Sequence, residues 1–219
     1  MPAEALERRV ELEEGEKERL SVLQKLGAVY GDQLSDFDGA TRAWRRVLEL
    51  QPGNSRALRT LRDAFLERKD YEGLEELYSS QNDFDGLADV LSQAADKAKE
   101  AEAKIDLSYR AAKVYEDKLS APDRAFRSYE RILATDPDDA RAASALIPIY
   151  EADEKWARLP ALYDVLLKKS DSDDEKLDLL GKLVDVTGGK LNDRNASSGY
   201  ARQAYELAPG SDQALTIFE

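Results

Sequence analysis

The chain has 219 residues, of which 42% are apolar and 35% charged, with 12 glycines and 7 prolines. Such a chain is too apolar and too poor in helix breakers to be disordered. It contains no cysteine and no histidine, which excludes disulfide frameworks and thiol chemistry and removes the commonest general base and transition-metal ligand. Its net charge of −13 disfavours binding to nucleic-acid backbones and to anionic membrane surfaces.

The sequence offers no segment for insertion into a membrane. No stretch approaches the roughly 20 apolar residues that a spanning helix needs. The first 14 residues are charged and lack the apolar core of a signal peptide. We therefore expect a cytoplasmic location for the chain as given, although a targeting segment would be hidden if the chain were a piece of a longer protein.

Helical periodicity runs along nearly the whole chain. Apolar residues recur at three- and four-residue spacing within residues 20–30, 40–48, 107–115 and 125–133. No sustained period-two run of β-branched residues predicts a strand. Clusters of Asp, Ser, Asn, Pro and Gly separate segments of about 12 to 18 residues, a normal helix length. These breaks lie at residues 35–38, 51–55, 82–85, 120–123, 136–139, 170–174, 192–195 and 209–212.

Three of these breaks resemble one another and indicate internal repetition. The segments 48–54, 133–139 and 205–211 each end a helix at a Pro that is followed by a small polar residue able to cap the next helix. Pro52 and Pro137 are 85 residues apart, and Pro137 and Pro209 are 72 residues apart. With a repeat of about 34 residues, the second interval holds four helices and the first holds five.

The chain resembles the tetratricopeptide repeat (TPR) family over nearly its whole length. The residues that carry the resemblance are small residues flanked by large apolar and aromatic ones and followed by Pro. In the first unit they are Leu23, Leu26, Gly27, Tyr30, Ala40, Trp44, Val47 and Pro52. Around residues 105–137 they are Ala111, Ala112, Tyr115, Ala125, Tyr129, Ile132 and Pro137. Both units have one extra residue in the turn between their helices.

The resemblance implies an all-α, right-handed α-solenoid of antiparallel helix hairpins, with about 11 to 13 helices in a single array. The predicted repeat units are 16–54, 55–101, 103–139, 140–173 and 174–211. Residues 1–14 are interpreted as the remnant of a preceding repeat and 212–219 as the start of a further one, so we expect a fragment of a longer array.

Two features depart from the regular pattern. An irregular half-unit is expected near residues 71–99, because Tyr71–Gln81 fits both as a second helix after the preceding segment and as a first helix before the next. Pro148 lies inside a predicted helix, which it should bend or break, whereas Pro160 lies near the start of another helix. The aromatic residues at repeat positions are expected to pack in the core; they are Tyr30, Trp44, Phe65, Tyr115, Tyr129, Tyr150 and Trp156.

No segment predicts a catalytic, cofactor or metal site. Residues 171–175 begin like a calcium loop, but Lys176 and Lys182 occupy the places where that loop needs Gly and Glu. An acidic cap of the following helix is the better interpretation. Gly188-Gly189-Lys190 lacks the upstream glycine and preceding strand of a phosphate loop and is interpreted as a turn at a helix C-terminus.

In the TPR family the first helix of each repeat lines an inner groove, so the resemblance implies partner-binding residues on those helices. They are Arg56, Arg59, Asp63, Asp106, Tyr109, Lys113, Glu116, Arg141 and Ser144. Tyr109 is the expected anchor, since aromatic residues and arginine dominate binding hot spots. The Lys/Asn clamp of the members that bind chaperone tails is not matched here.

The predicted function is that of a scaffold, without catalytic activity, that binds a protein or peptide, as one module of a bacterial-type assembly factor. One alternative is a self-associating structural array whose incomplete ends expose apolar faces. A regulatory domain of an enzyme is the other. The scaffold and the self-associating array can be distinguished by particle size in solution, which depends on protein concentration only for the array.

Overall fold

The computed structural model describes residues 2–218, which form 13 α-helices and contain no β-strand. The helices are α1 (Pro2–Leu12), α2 (Glu16–Ala28), α3 (Phe37–Leu50), α4 (Ser55–Arg68), α5 (Tyr71–Ser80), α6 (Phe84–Lys97), α7 (Ala101–Asp117), α8 (Pro122–Thr135), α9 (Ala140–Ala152), α10 (Leu159–Lys169), α11 (Asp173–Val184), α12 (Arg194–Leu207) and α13 (Asp212–Phe218). A π-helical turn follows α2 (Val29–Gln33) and another follows α11 (Asp185–Lys190), and a 3₁₀ turn (Trp156–Arg158) precedes α10. The predicted all-α class is confirmed.

The chain divides into two compact units, Met1–Leu87 and Ala88–Glu219, and the division falls within α6. In the N-terminal unit, α1 packs on α2, α2 on α3, α3 on α4 and α4 on α5. In the C-terminal unit, each helix from α7 to α12 packs on the next helix along the chain. Each unit is therefore built from successive helical hairpins, in which the apolar stripe of one helix covers that of its neighbour.

The polar residues at the breaks begin the helices, as the sequence predicts. The side chain of an N-cap residue accepts a hydrogen bond from the backbone N–H three residues later at seven helix starts in the described chain. These N-cap residues are Asp36, Asn54, Asp70, Asp83, Asp139, Ser172 and Asp193. Ser172 begins α11 within the acidic segment 171–175, so that segment is a helix cap, as expected.

Turns within the hairpins close in two ways, and each turn contains a residue with a left-handed backbone. In the short form, the N–H of Asp70, Asp83 or Lys155 donates to a carbonyl five residues earlier. The longer form adds one residue, so that Asp36, Ala121 and Asp193 donate to carbonyls six residues earlier. The left-handed residues have φ between 48° and 57° and are Ser35, Lys69, Asn82, Ser120, Glu154 and Asn192. The extra turn residues predicted in the first unit and near residues 105–137 are the longer form.

Replacing one of these left-handed residues by glycine should stabilise the fold. Glu154 has a φ of 54°, a conformation that costs an L-residue about 1 to 2 kcal/mol and costs glycine little. Glycine also loses more backbone freedom on folding, and this cost offsets part of the gain. We therefore expect Glu154→Gly to raise the free energy of unfolding by a net amount of about 0.5 to 1 kcal/mol. Urea denaturation followed by circular dichroism measures this. Glu154→Ala, which removes the same side chain and keeps the strain, is the control; an equal gain in both variants would contradict the explanation.

Five of the seven aromatic residues at repeat positions lie in the core as expected. Trp44, Phe65, Tyr115, Tyr129 and Tyr150 are buried, and the remaining two, Tyr30 and Trp156, are half-buried. The predicted irregular half-unit contains two helices, α5 and α6, which are joined by a short turn at Asn82.

Pro148 is expected from the sequence to bend or break its helix. It does not break it, because α9 runs without interruption from Ala140 to Ala152; a bend at Pro148 stays a prediction. Pro148 and Ser144, whose carbonyl loses its intrahelical partner, both lie on the exposed side of α9, where water can satisfy that carbonyl. Pro160 occupies the first turn of α10, where its missing N–H has no cost, as predicted.

Candidate functional site

A groove of about 660 Å³ lies in the N-terminal unit between α2, α3 and α4. We call it the N-terminal groove. Its lining residues are Gly27, Ala28, Gly31, Asp32, Ser35, Phe37, Ala40, Trp44, Arg56, Thr60, Ala64, Glu67 and Arg68. The volume is within the usual range of ligand pockets, so this groove is the principal candidate for a binding site.

Small residues keep the groove open and let its walls approach. A Cβ atom added at Gly27 would lie 2.6 Å from Nε1 of Trp44, so the absence of a side chain on α2 makes room for the indole of α3. Gly31 faces Ala40 across the same contact, but less closely, since a Cβ at Gly31 would lie at an ordinary van der Waals distance of 3.9 Å from that of Ala40. The groove is therefore a consequence of small residues at the α2–α3 contact.

Two arginines of α4 stack on aromatic rings in the N-terminal groove. The guanidinium carbon of Arg56 lies 5.4 Å from the ring centroid of Trp44, and that of Arg68 lies 4.1 Å from the centroid of Phe37. Phe37 in turn meets Phe65 edge-to-face at 5.9 Å. Cation–π contacts of this kind hold a guanidinium in place while its N–H donors remain available.

Several arginines of the chain pair with carboxylates, whereas these two do not do so among the described residues. Arg45, Arg46 and Arg131 each form an ion pair with a carboxylate of another helix. Neither Arg56 nor Arg68 forms an ion pair within residues 2–218, although both are exposed and the chain carries 45 acidic residues. A positioned guanidinium with free N–H donors can bind a carboxylate through two parallel hydrogen bonds.

Of the three partner-binding residues predicted in the N-terminal unit, the structure places one in this groove. Arg56 lines it, whereas Arg59 and Asp63 lie exposed on α4 outside its lining. Asp63 accepts hydrogen bonds from the neighbouring Arg62, at 2.7 Å from Nη2 and 2.9 Å from Nε. Their role in binding a partner stays a prediction.

The other predicted site residues belong to the C-terminal unit, where Tyr109 contacts one of them, Arg141. Its hydroxyl donates to Oδ1 of Asp139 at 2.5 Å, the carboxylate that also caps α9. Its ring meets Tyr129 edge-to-face at 6.3 Å, and Arg141 lies 4.3 Å from its centroid. Tyr109 is thus half-buried with its hydroxyl already bonded, so much of the surface expected to anchor a partner is used in joining α7, α8 and α9.

The remaining predicted residues lie at or near the surface of α7 and α9. Glu116 accepts a hydrogen bond from the Tyr129 hydroxyl at 2.7 Å, and Asp106 pairs with Arg110 at 3.0 Å. Lys113 and Ser144 are exposed. These side chains leave α7 with a charged, solvated face, and their partner-binding role also stays a prediction.

A series of tyrosine–carboxylate hydrogen bonds connects the helices of the C-terminal unit. The pairs are Tyr109–Asp139, Tyr129–Glu116, Tyr150–Glu130, Tyr163–Glu151 and Tyr200–Asp164, with distances of 2.5 to 3.1 Å. In all five pairs the pKa of the tyrosine is raised above its ordinary value. The main cause is burial of the ring, and the carboxylate partner adds to it. The pKa of Tyr150 is raised to about 12. The sequence analysis missed this series, because the partners lie 12 to 36 residues apart.

Thr60, Ala64, Glu67 and Arg68 were also missed as lining residues of the groove. Arg56, Thr60, Ala64 and Arg68 follow one another at four-residue intervals, which places them along one side of α4. Counting forward from Arg56 in steps of four residues would have predicted Thr60, Ala64 and Arg68 as lining residues.

Within the part of the chain that the structure describes, no group of three or more Asp, Glu, His or Cys side chains is arranged to hold a metal ion. None of the described helices has both the length and the apolar character needed to cross a bilayer.

Solved structures of TPR proteins resemble this chain at low identity. A structure of PilF from Pseudomonas aeruginosa matches with 18% identity and a TM-score of 0.32, covering 93% of this chain and 98% of that one. YrrB, a TPR protein described as having an unusual peptide-binding site, matches with 16% identity and a TM-score of 0.36, covering 98% and 97%. PilW, a type IV pilus biogenesis factor, matches with 14% identity and a TM-score of 0.36, covering 91% and 98%.

The all-helical chain is consistent with the TPR-like fold that its sequence predicts. No protein-family model matches the chain. No curated protein matches it either.

Proposed function

We propose that this protein is a protein-interaction module that binds an extended segment of a partner protein in the N-terminal groove. The observation that carries the proposal is the pair of exposed arginines, Arg56 and Arg68, held over Trp44 and Phe37 beside a wall of small residues. An open, partly apolar channel with a few positioned polar donors binds a peptide chain by shape and orients it by charge.

Occupation of the groove can be tested with a steric block. Random nine-residue peptides displayed on phage are selected on the whole protein, and the enriched sequences are made with a fluorescent label for anisotropy measurements. Thr60→Trp places an indole on the exposed lining of the groove, and Arg59→Trp places one on the next residue of α4, outside the lining. Because both positions are exposed, neither substitution disturbs the core.

We expect Thr60→Trp to weaken binding of the selected peptides by at least about tenfold, the equivalent of about 1.4 kcal/mol, and Arg59→Trp to change it by less than about threefold. Equal binding by Thr60→Trp and the wild-type protein would place any interaction elsewhere. Failure to enrich any peptide would contradict the proposed function itself.

A further inference from the structure

The charges along the N-terminal groove are distributed unevenly. Arg56 lies near the start of α4, and Glu67 and Arg68 lie at its end. Asp32, in the turn after α2, belongs to the same end as Arg68, because Arg68 stacks on Phe37, the first residue after that turn. The end of the groove at Arg56 is therefore cationic, whereas the other end carries two carboxylates against one guanidinium.

The charged groups at both ends are available to a ligand. Arg56, Asp32 and Glu67 are exposed, and none of the three forms an ion pair or side-chain hydrogen bond among residues 2–218. Some carboxylates elsewhere on the helix surfaces do have such partners, as Glu76 has Arg45 and Glu11 has Arg46. The groove thus carries charged side chains at both ends whose polar atoms remain available to a ligand.

The distance between the two ends corresponds to a short stretch of extended chain. Arg56 and Glu67 are 11 residues apart on one helix, which gives a rise of about 16 Å at roughly 1.5 Å per residue. An extended peptide advances about 3.3 Å per residue, so about five residues cover that distance. Between the ends, the lining residues of α4 are the small Thr60 and Ala64.

We propose that the occupant of the N-terminal groove is an extended peptide segment with a carboxylate at one end and a basic side chain about five residues away. Its carboxylate binds the guanidinium of Arg56, and its basic side chain lies against Asp32 and Glu67. This inference rests on the proposed function, and it deepens it by naming the chemistry of the ligand. Arg56 is favoured over Arg68 for the contact because no carboxylate of the described chain lines its end of the groove, whereas Asp32 and Glu67 lie at the end of Arg68.

The test uses the labelled peptides selected on the wild-type protein, each remade in three forms. One form replaces Asp and Glu by Asn and Gln, the second replaces Lys and Arg by Gln, and the third amidates the C-terminus. We expect the enriched sequences to carry an acidic and a basic residue four to six positions apart. The first two forms should each bind about tenfold more weakly. Loss on amidation alone would identify the terminal carboxylate as the group at Arg56, and loss on Glu→Gln would identify a side chain.

Protein variants then locate the two contacts. Arg56→Gln should weaken the parent peptide by about tenfold and leave the Asn/Gln form unchanged, whereas Arg59→Gln, which removes a neighbouring charge outside the lining, should leave both unchanged. Asp32→Asn together with Glu67→Gln should remove the preference for the basic residue. Trp156→Phe leaves Trp44 as the single tryptophan of the chain. In this variant the fluorescence emission of Trp44 should change when the peptide binds, because Trp44 lines the groove.

Selected peptides that compete for the groove and bind equally well in the neutral forms would overturn this inference and leave the proposed function intact. Equal losses in Arg56→Gln and Arg59→Gln would also overturn it, because they would show attraction to overall charge. A wild-type protein that selects no peptide would overturn both.

Discussion

Gly27→Ala should destabilise the protein, although alanine is the better helix former. Gly27 is buried in α2, and an added Cβ would meet three atoms of the Trp44 indole at 2.6 to 3.0 Å. Trp44 is 3% exposed, so it has little room to move. Overpacking of this kind costs about 1 to 3 kcal/mol, which exceeds the gain of about 0.5 to 1 kcal/mol in helix propensity. Chemical denaturation of the wild-type and variant proteins, followed by circular dichroism, measures the difference.

A glycine in an open position provides the matched control. Gly199 lies inside α12, and nothing is within 4 Å of the position of its missing Cβ. Gly199→Ala should therefore raise the free energy of unfolding by about 0.5 to 1 kcal/mol, the opposite sign to Gly27→Ala. If both alanine variants were stabilised, the close approach of α2 and α3 at Trp44 would be wrong, and with it the origin of the N-terminal groove.

Alkaline pH should unfold the C-terminal unit by ionising its tyrosines. The folded protein raises the pKa of Tyr150 to about 12, mainly by burying its ring and then through its hydrogen bond to Glu130. An acid whose pKa is higher in the folded state than its unfolded value of about 10 contributes stability that is complete below pH 10. That contribution is lost as the pH rises through the folded pKa. The expected window therefore extends from about pH 10 to about pH 12.

Two optical signals measured from pH 8 to pH 12.5 would test this. Absorbance of tyrosinate near 295 nm and helical ellipticity should change together, because the buried hydroxyls ionise as the helices separate. Tyr150→Phe should lower stability at neutral pH by about 1 kcal/mol, the typical contribution of one hydrogen bond, and should make the loss with pH less steep. Tyr205→Phe, at a tyrosine that is 41% exposed, is the control. Complete ionisation near pH 10 with unchanged ellipticity would contradict the prediction.

The helices could be predicted from the sequence because their signals are local. Apolar stripes fix which segments are helical, and capping residues fix where they start; the segment predicted as Tyr71–Gln81 is α5, Tyr71–Ser80. A break at Pro148 does not occur because the effect of a proline depends on its exposure, which periodicity does not reveal. An exposed proline near the end of a helix leaves a carbonyl that water satisfies.

The groove was harder to predict because its lining depends on the rotation of α4. The resemblance to the TPR family assigned Arg59 and Asp63 to the groove, whereas Thr60 and Ala64 line it. One position along a helix is a rotation of about 100°, so an offset of one residue exchanges a lining side chain for a solvated one. Tyr109 shows the same limit in another form, since its partner Asp139 lies 30 residues away on a different hairpin.

Packing of each helix on its chain neighbours determines how the protein reaches its folded state. Most contacts within a unit join residues close in sequence, and the turns that bring them together are only a few residues long. The entropy lost on closing such short loops is small, and a low contact order is associated with folding in microseconds to milliseconds. A hairpin can form as soon as its second helix has been synthesised, so folding of this chain can follow translation from the ribosome one hairpin at a time.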